Sequence, residues 1–240
     1  MIAINYLILN AIILSIPLLL SFKWKFSYYK YYKPLFASIC IVGLVYIIWD
    51  AIVTARGDWW FNPEYLTGIK IVGLPIEEIM FFITVPYSCI FIYENLEYFL
   101  PDKKIKFNKI FYTVLTILFI VFGLVFYHQD YTILALFSCA TFFIIALWKM
   151  PDILRSRNYW LYIVISMVPF LIFNYLLTSL PIVLYNANAI WGGDGMWNGR
   201  FLSIPLEDFF YNFSMLSFYL LAYLYFKKRW NKKRKIILYD

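Results

Sequence analysis

Two stretches decide the fold: Pro75-Ile76-Glu77-Glu78-Ile79-Met80-Phe81-Phe82 and Pro205-Leu206-Glu207-Asp208-Phe209-Phe210-Tyr211-Asn212. Each sets adjacent carboxyl groups at the mouth of a long apolar run, and each run is long enough for an α-helix to cross the roughly 30 Å of hydrocarbon in a bilayer. Ionisable groups are costly to bury there. A carboxyl pair that occurs twice at the mouths of spanning helices is therefore read first as a functional site.

Working outward from these stretches, the 240-residue chain is 63% hydrophobic and 23% aromatic, well above the roughly 45 to 50% apolar usage of soluble domains. The reading is an all-α integral membrane protein. Apolar runs predict seven transmembrane helices, over residues 2–22, 35–53, 74–100, 110–127, 131–148, 160–180 and 204–226.

Cytoplasmic loops collect Lys and Arg, and the basic residues divide accordingly. Lys23, Lys25, Lys30 and Lys33 follow the first span, Lys103, Lys104, Lys106 and Lys109 the third, and Lys149, Arg155 and Arg157 the fifth. A basic tail from Lys227 to Lys235 follows the seventh, which leaves Arg56, Lys70 and Arg200 for the other side. The expected topology is N-terminus outside and C-terminus cytoplasmic, in a multi-pass protein of the cytoplasmic (inner) cell membrane. The net charge of +7 is then a topology signal and an attraction to anionic lipid head groups, so membrane lipids are the expected partners and nucleic acid is not. The first span has an uncharged head, a basic cluster behind it and no small-residue cleavage site, so it is read as a retained helix and not a signal peptide.

The repeated motif fits this topology. Spans one to three and five to seven form two three-helix units with span four as linker, a 3+1+3 parallel repeat. The expected parts are a first half over 1–106, a linker helix over 107–130 and a second half over 131–240. Both acidic pairs then lie at the outer leaflet and can converge on one cavity. The outer loops echo each other weakly, with Asp58, Trp60 and Asn62 ahead of the first motif and Asp194, Trp197 and Asn198 ahead of the second.

Adjacent helical residues point about 100° apart, so one carboxyl of each pair faces any given cavity while its neighbour faces elsewhere. Helical spacing groups Glu78 with Phe81, Phe82 and Val85, and Glu207 with Phe210, Tyr211 and Ser214. Two coupled carboxyl groups in different environments can supply one acid and one base. The simpler reading is that these groups cap their helices at the water boundary, and the duplication argues against it. Asp50, at the outer end of span two, reads as a solvated helix end that could join the cluster. Asn174 and Asn212 read as interhelical or cavity-lining amides.

Other features carry less. Cys40, Cys89 and Cys139 lie in separate spans without paired spacing, which gives neither a disulfide framework nor a zinc site. His128 sits in a short outer turn. Gly192, Gly193 and Gly195 with Asp194 make a turn and no dinucleotide fingerprint, and no P-loop occurs. Flavin, NAD, nucleotide triphosphate and metal cofactors have no support, and none is expected.

With the first motif continuing as Val85-Pro86-Tyr87 and Phe91-Ile92-Tyr93-Glu94, and the second running from Pro205 to Tyr211, the chain resembles the membrane-integral, flavin-free lycopene cyclases. In that heterodimer-type family two homologous halves occur as separate subunits or fused in one chain, and the resemblance here is to the fused form over essentially the whole length. It implies a carotenoid cyclase, an enzyme of intramolecular lyase or isomerase type. Its substrate would be lycopene, whose linear ψ end groups become β-ionone rings, through γ-carotene to β-carotene, by protonation, ring closure and proton loss without net redox change. By the same resemblance Glu77, Glu78, Glu207 and Asp208 are the acid and base candidates. Phe81, Phe82, Phe209, Phe210 and Tyr211 would stabilise the cation, with Asp50, Asn174 and Asn212 as supporting polar groups. Asp208 stands where the first motif has Glu78, one methylene shorter.

A small-solute transporter of 3+1+3 architecture, or another carotenoid-modifying membrane enzyme, is the alternative. A transporter would place its polar groups nearer the midplane. A retinal-binding receptor would need a lysine in the last span, and residues 204–226 hold none.

Overall fold

The computed structural model describes residues 5–22, 27–193 and 199–231 in full, and the backbone alone of 23 and 232–237. Helices carry most of it: α1 (Tyr6–Lys23), α2 (Tyr32–Arg56), α3 (Ile76–Phe99), α4 (Lys109–Val125), α5 (Asp130–Lys149), a short α6 (Pro151–Arg155), α7 (Arg157–Ser179) and α8 (Leu206–Ile237). The chain is an all-α protein. Five of its helical stretches, within α2, α3, α5, α7 and α8, are long and apolar enough to cross a membrane; the apolar lengths of α1 and α4, Tyr6–Phe22 and Lys109–Val125, are shorter.

Short strands connect the helices where loops were expected. They are β1 (Trp59–Phe61), β2 (Lys70–Ile71), β3 (Leu74–Pro75), β4 (Val183–Tyr185), β5 (Arg200–Phe201) and β6 (Ile204–Pro205). β2 with β3 and β5 with β6 form tight hairpins leading into α3 and α8. Pro75 is thus the last residue of a hairpin, at the N-cap of α3 with extended ψ, and does not occupy the first helical turn. The first hairpin turns through Val72 and Gly73 and the second through Leu202, at φ of 53°, 82° and 57°. Gly73 adopts such a value without a Cβ clash. In each half one backbone bond then locks the hairpin to its helix, from Ile76 N to Ile69 O and from Leu206 N to Gly199 O, both 2.9 Å.

The element order repeats. Helix, short helical turn, helix, strand, hairpin and helix run from α1 to α3, and again from α5 to α8, with α4 between. β1 and β4, the matching strands, pair antiparallel, Trp59 opposite Tyr185 and Phe61 opposite Val183. The loop match expected from Asp194, Trp197 and Asn198 lies outside the described residues, and the strand that answers Trp59–Phe61 is Val183–Tyr185.

The halves interlock. α1 and α2 pack on α3, and α5 and α7 on α8, while α2 also crosses to α8 and α7 to α3. Polar contacts pin these crossings, an economical glue in a bilayer, where apolar burial between helices gains little. Ser38 Oγ donates to Tyr219 O at 2.7 Å, Tyr219 OH to Phe82 O at 3.0 Å, and Tyr162 OH to Leu216 O at 3.2 Å. At the opposite end from the strands, buried Glu94 accepts from Tyr223 OH at 2.6 Å and pairs with Lys227, tying α3 to α8.

α4 rests on α5 at Gly123, where an added Cβ would stand 2.6 Å from Phe137. Gly123→Leu should therefore force α4 away from α5 at a cost of about 1 to 3 kcal/mol, as overpacking does. A lowered thermal midpoint in detergent is the measurement.

Candidate active site

Below the β1–β4 pair, the first turns of α3 and α8 open onto one cavity of about 420 Å³. This falls within the roughly 300 to 1,000 Å³ of small-molecule sites. Its carboxyl and amide groups gather at the strand end, where Asp50, Glu78, Asp208, Asn174 and Asn212 all line it; deeper in, apart from Ser88 and Ser166, the wall is largely apolar, with Ile13, Val85, Phe170 and Met215 among the lining residues. Ile12 and Ile16 of α1 line the cavity too and are 52% and 65% exposed, so it reaches the apolar outer surface of the bundle. The helices around this opening, α1, α3 and α7, each contain an internal proline, at Pro17, Pro86 and Pro169. Proline removes a ladder hydrogen bond and bends a helix away from its neighbours.

The four acidic residues divide into two kinds. Glu77 and Glu207 turn towards the loops. Glu77 Oε1 accepts from the Thr67 amide at 2.6 Å, while Glu207 Oε1 accepts from the Trp191 amide at 2.6 Å and from Thr132 Oγ1. Glu78 and Asp208 turn into the cavity. Tyr6 OH donates to Glu78 Oε2 at 2.7 Å, and Tyr131 OH to Asp208 Oδ1 at 2.6 Å. Asp208 Oδ2 accepts two more, from Asn174 Nδ2 at 2.8 Å and Tyr185 OH at 2.9 Å. Tyr185 lies on β4, where burial and then the Asp208 charge push its phenol well above the ordinary tyrosine value and keep it a donor.

Asp50 is not the solvated helix end expected of it. It is 1% exposed, takes Trp59 Nε1 on Oδ1 at 2.7 Å, and among the described residues its Oδ2 is buried without a hydrogen-bond partner. Strand β1 folds Trp59 back over the end of α2, which buries the carboxyl group. Asn174 both joins the cavity wall and bonds Asp208, and Asn212 reaches Met167 Sδ at 3.6 Å.

Of the five aromatic candidates, Phe81 and Tyr211 line this cavity. Phe82 is fully buried against Tyr46, and Phe209 and Phe210 line a separate aromatic cleft with Phe119 and Phe143. The face-sharing set built on Glu207 is therefore out of step by one residue. The residue that answers Glu78 is Asp208, so Tyr211 answers Phe81, Asn212 answers Phe82 and Met215 answers Val85.

Sequence reasoning missed the phenols. Tyr6 and Tyr131 each open the first helix of a half and bond the second acid of that half's motif, and their matching positions were a usable signal. So was the extended repeat Lys70-Ile71-Val72-Gly73-Leu74-Pro75 and Arg200-Phe201-Leu202-Ser203-Ile204-Pro205. Tyr185 and Trp59 carried no such signal, because only strand pairing brings them over the site. Among the described residues no group of three His, Cys, Asp or Glu side chains is placed to hold a metal ion.

A model of the family described as lycopene cyclase matches residues 4–96 and 128–226, two segments that each contain one acidic motif. The chain belongs to the lycopene cyclase family. Membership makes it a carotenoid-cyclising enzyme, and its apolar helices make it a membrane protein. No curated protein and no solved structure matches the chain.

The loop-facing acids generate a stability prediction. Glu77→Ala and Glu207→Ala should each remove the acceptor of a part-buried loop amide and cost about 0.5 to 1.5 kcal/mol, whereas Gln at either position keeps an acceptor and costs less. Thermal unfolding of the purified protein in detergent compares the four variants.

Proposed function

We propose that this member of the family is a lycopene β-cyclase of the cytoplasmic membrane. In this reading the chain crosses the bilayer seven times with its N-terminus outside. It comprises two cyclase halves, 1–106 and 131–240, and a linker over 107–130. One observation carries it: Glu78 and Asp208, the matching acids of the two segments, face the same largely apolar cavity. A lipid-dissolved polyene has a route to that cavity past Ile12 and Ile16 from the bilayer.

The chemistry assigned to the site is an acid–base isomerisation. Glu78, which among the described residues accepts one hydrogen bond, is the acid and protonates the terminal double bond of a ψ end group. The resulting tertiary cation is attacked by the next double bond along the chain, which closes the six-membered ring and leaves the positive charge on a ring carbon. Phe81 and Tyr211 present π faces to that charge. Asp208, with three donors on its two oxygens, serves as a fixed anion opposite it. Loss of a ring proton to a carboxylate completes the reaction. Atoms and electrons balance without an oxidant, and removal of the proton from the carbon that closed the ring produces the β-ring. Glu77 and Glu207 hold the outer loops, and Phe82, Phe209 and Phe210 shape the helices that carry the acids.

Expression in cells that accumulate lycopene tests this directly. Wild-type chain should convert lycopene to monocyclic and bicyclic β-ring carotenoids, and Glu78→Gln, nearly isosteric but without an acidic proton, should leave lycopene unconverted at equal membrane content. Unchanged lycopene with wild-type protein in the membrane would sink the proposal. Reporter fusions at the loops after α1, α3 and α6 check the topology and should all report cytoplasm.

A further inference from the structure

We infer that Asp50 is the base of the cyclisation, the group that removes the ring proton and so decides which ring forms. This rests on the cyclase reading and on Glu78 as the acid.

The cavity needs a carboxylate oxygen free to take a proton, and hydrogen bonding leaves few. Both oxygens of Asp208 are engaged, by Tyr131, Asn174 and Tyr185. Among the described residues Glu77 and Glu207 each hold an unpartnered oxygen, but neither lines the cavity, and each spends its other oxygen on a loop amide. Asp50 lines the cavity with one oxygen fixed by Trp59 and the other buried and, among the described residues, unpartnered. An ionisable group left in this state inside a spanning helix is costly, and structure alone does not require it.

The internal repeat reinforces the assignment. Asp50 and Asn174 stand the same number of residues ahead of β1 and β4, so they are matching positions. In the second half the amide at this position donates to Asp208, a bond that favours its carboxylate form. In the first half the matching residue is an acid and cannot do so for Glu78 as a carboxylate. Two carboxyl groups that line one cavity and cannot both be charged cheaply favour the state in which one of them is protonated.

The step balances within the pair. Glu78 gives its proton, and the electron pair of the terminal double bond forms the new C–H bond. After ring closure, a ring C–H bond breaks towards Asp50 Oδ2 and its electrons become the ring double bond. The proton passes from Asp50 back to Glu78 and nothing is consumed. Because Trp59 fixes Oδ1, the position of Oδ2 selects which of the protons beside the cation is lost.

The test compares wild type, Asp50→Asn and Asp50→Glu in lycopene-accumulating cells, with membrane content measured by immunoblot and ring isomers by chromatography. Asn still accepts from Trp59, so the fold should hold. Cyclic product should fall by about 10²-fold or more in Asp50→Asn, the usual contribution of a general base. Asp50→Glu should keep cyclising with a changed ratio of β, γ and ε rings, a readout that a packing role would not move. Near wild-type turnover in Asp50→Asn overturns the inference. So does Asp50→Glu that is as inactive as Asp50→Asn, or that reproduces the wild-type ring ratio. Absence of cyclic product from wild type would instead reject the cyclase reading itself.

Discussion

A carboxyl group inside a bilayer has no water to satisfy it, so every donor must come from the protein. The strand end of this bundle is organised by that requirement. Glu77 and Glu207 bind the amides of Thr67 and Trp191 and so tie the connecting loops to the helix ends. Glu78 and Asp208 draw phenols from the first helix of each half, Tyr6 and Tyr131. Backbone donors thus build the cover and side-chain donors build the site, from two carboxyl groups that are neighbours in sequence.

The repeat is symmetric in architecture and asymmetric in content. At the positions where Cys89, Phe170 and Asn212 line the cavity, the matching residues Tyr219, Tyr46 and Phe82 pack ring to ring, Tyr46 within 6.3 Å of Tyr219 and 6.2 Å of Phe82. Large rings fill one of the two equivalent spaces, so a duplicated fold ends with one cavity lined by an acid from each half. The exchange of Asp50 for Asn174 and of Glu78 for Asp208 belongs to the same divergence. Two halves with identical polar residues would hold two similar carboxyl sites, whereas acid–base chemistry needs groups in unlike environments.

Helix existence, the repeated acidic motif and the neighbourhood of the site were legible in the sequence, because hydrophobic run length and carboxyl placement are local properties. The all-α class and the convergence of the two acidic motifs on one cavity followed from them. The strands were not legible: segments of two or three residues carry no period, and their stability comes from partners such as Trp59 and Tyr185 that are far apart in the chain. Helical spacing also mismatched the two halves by one residue, since it groups residues on a face without saying which face meets the cavity.

What the sequence by itself determined, then, is that the chain folds as long apolar helices suited to a membrane and that two of them open on an acidic pair, for burying long apolar runs leaves the chain little choice. Only the tertiary structure decided which carboxyl of each pair looks inward, that Asp50 is buried under Trp59, and that one of the two equivalent spaces is filled. Those outcomes depend on donors and rings supplied by distant segments, and a hydrogen bond between Tyr131 and Asp208 exists only once α5 and α8 have packed.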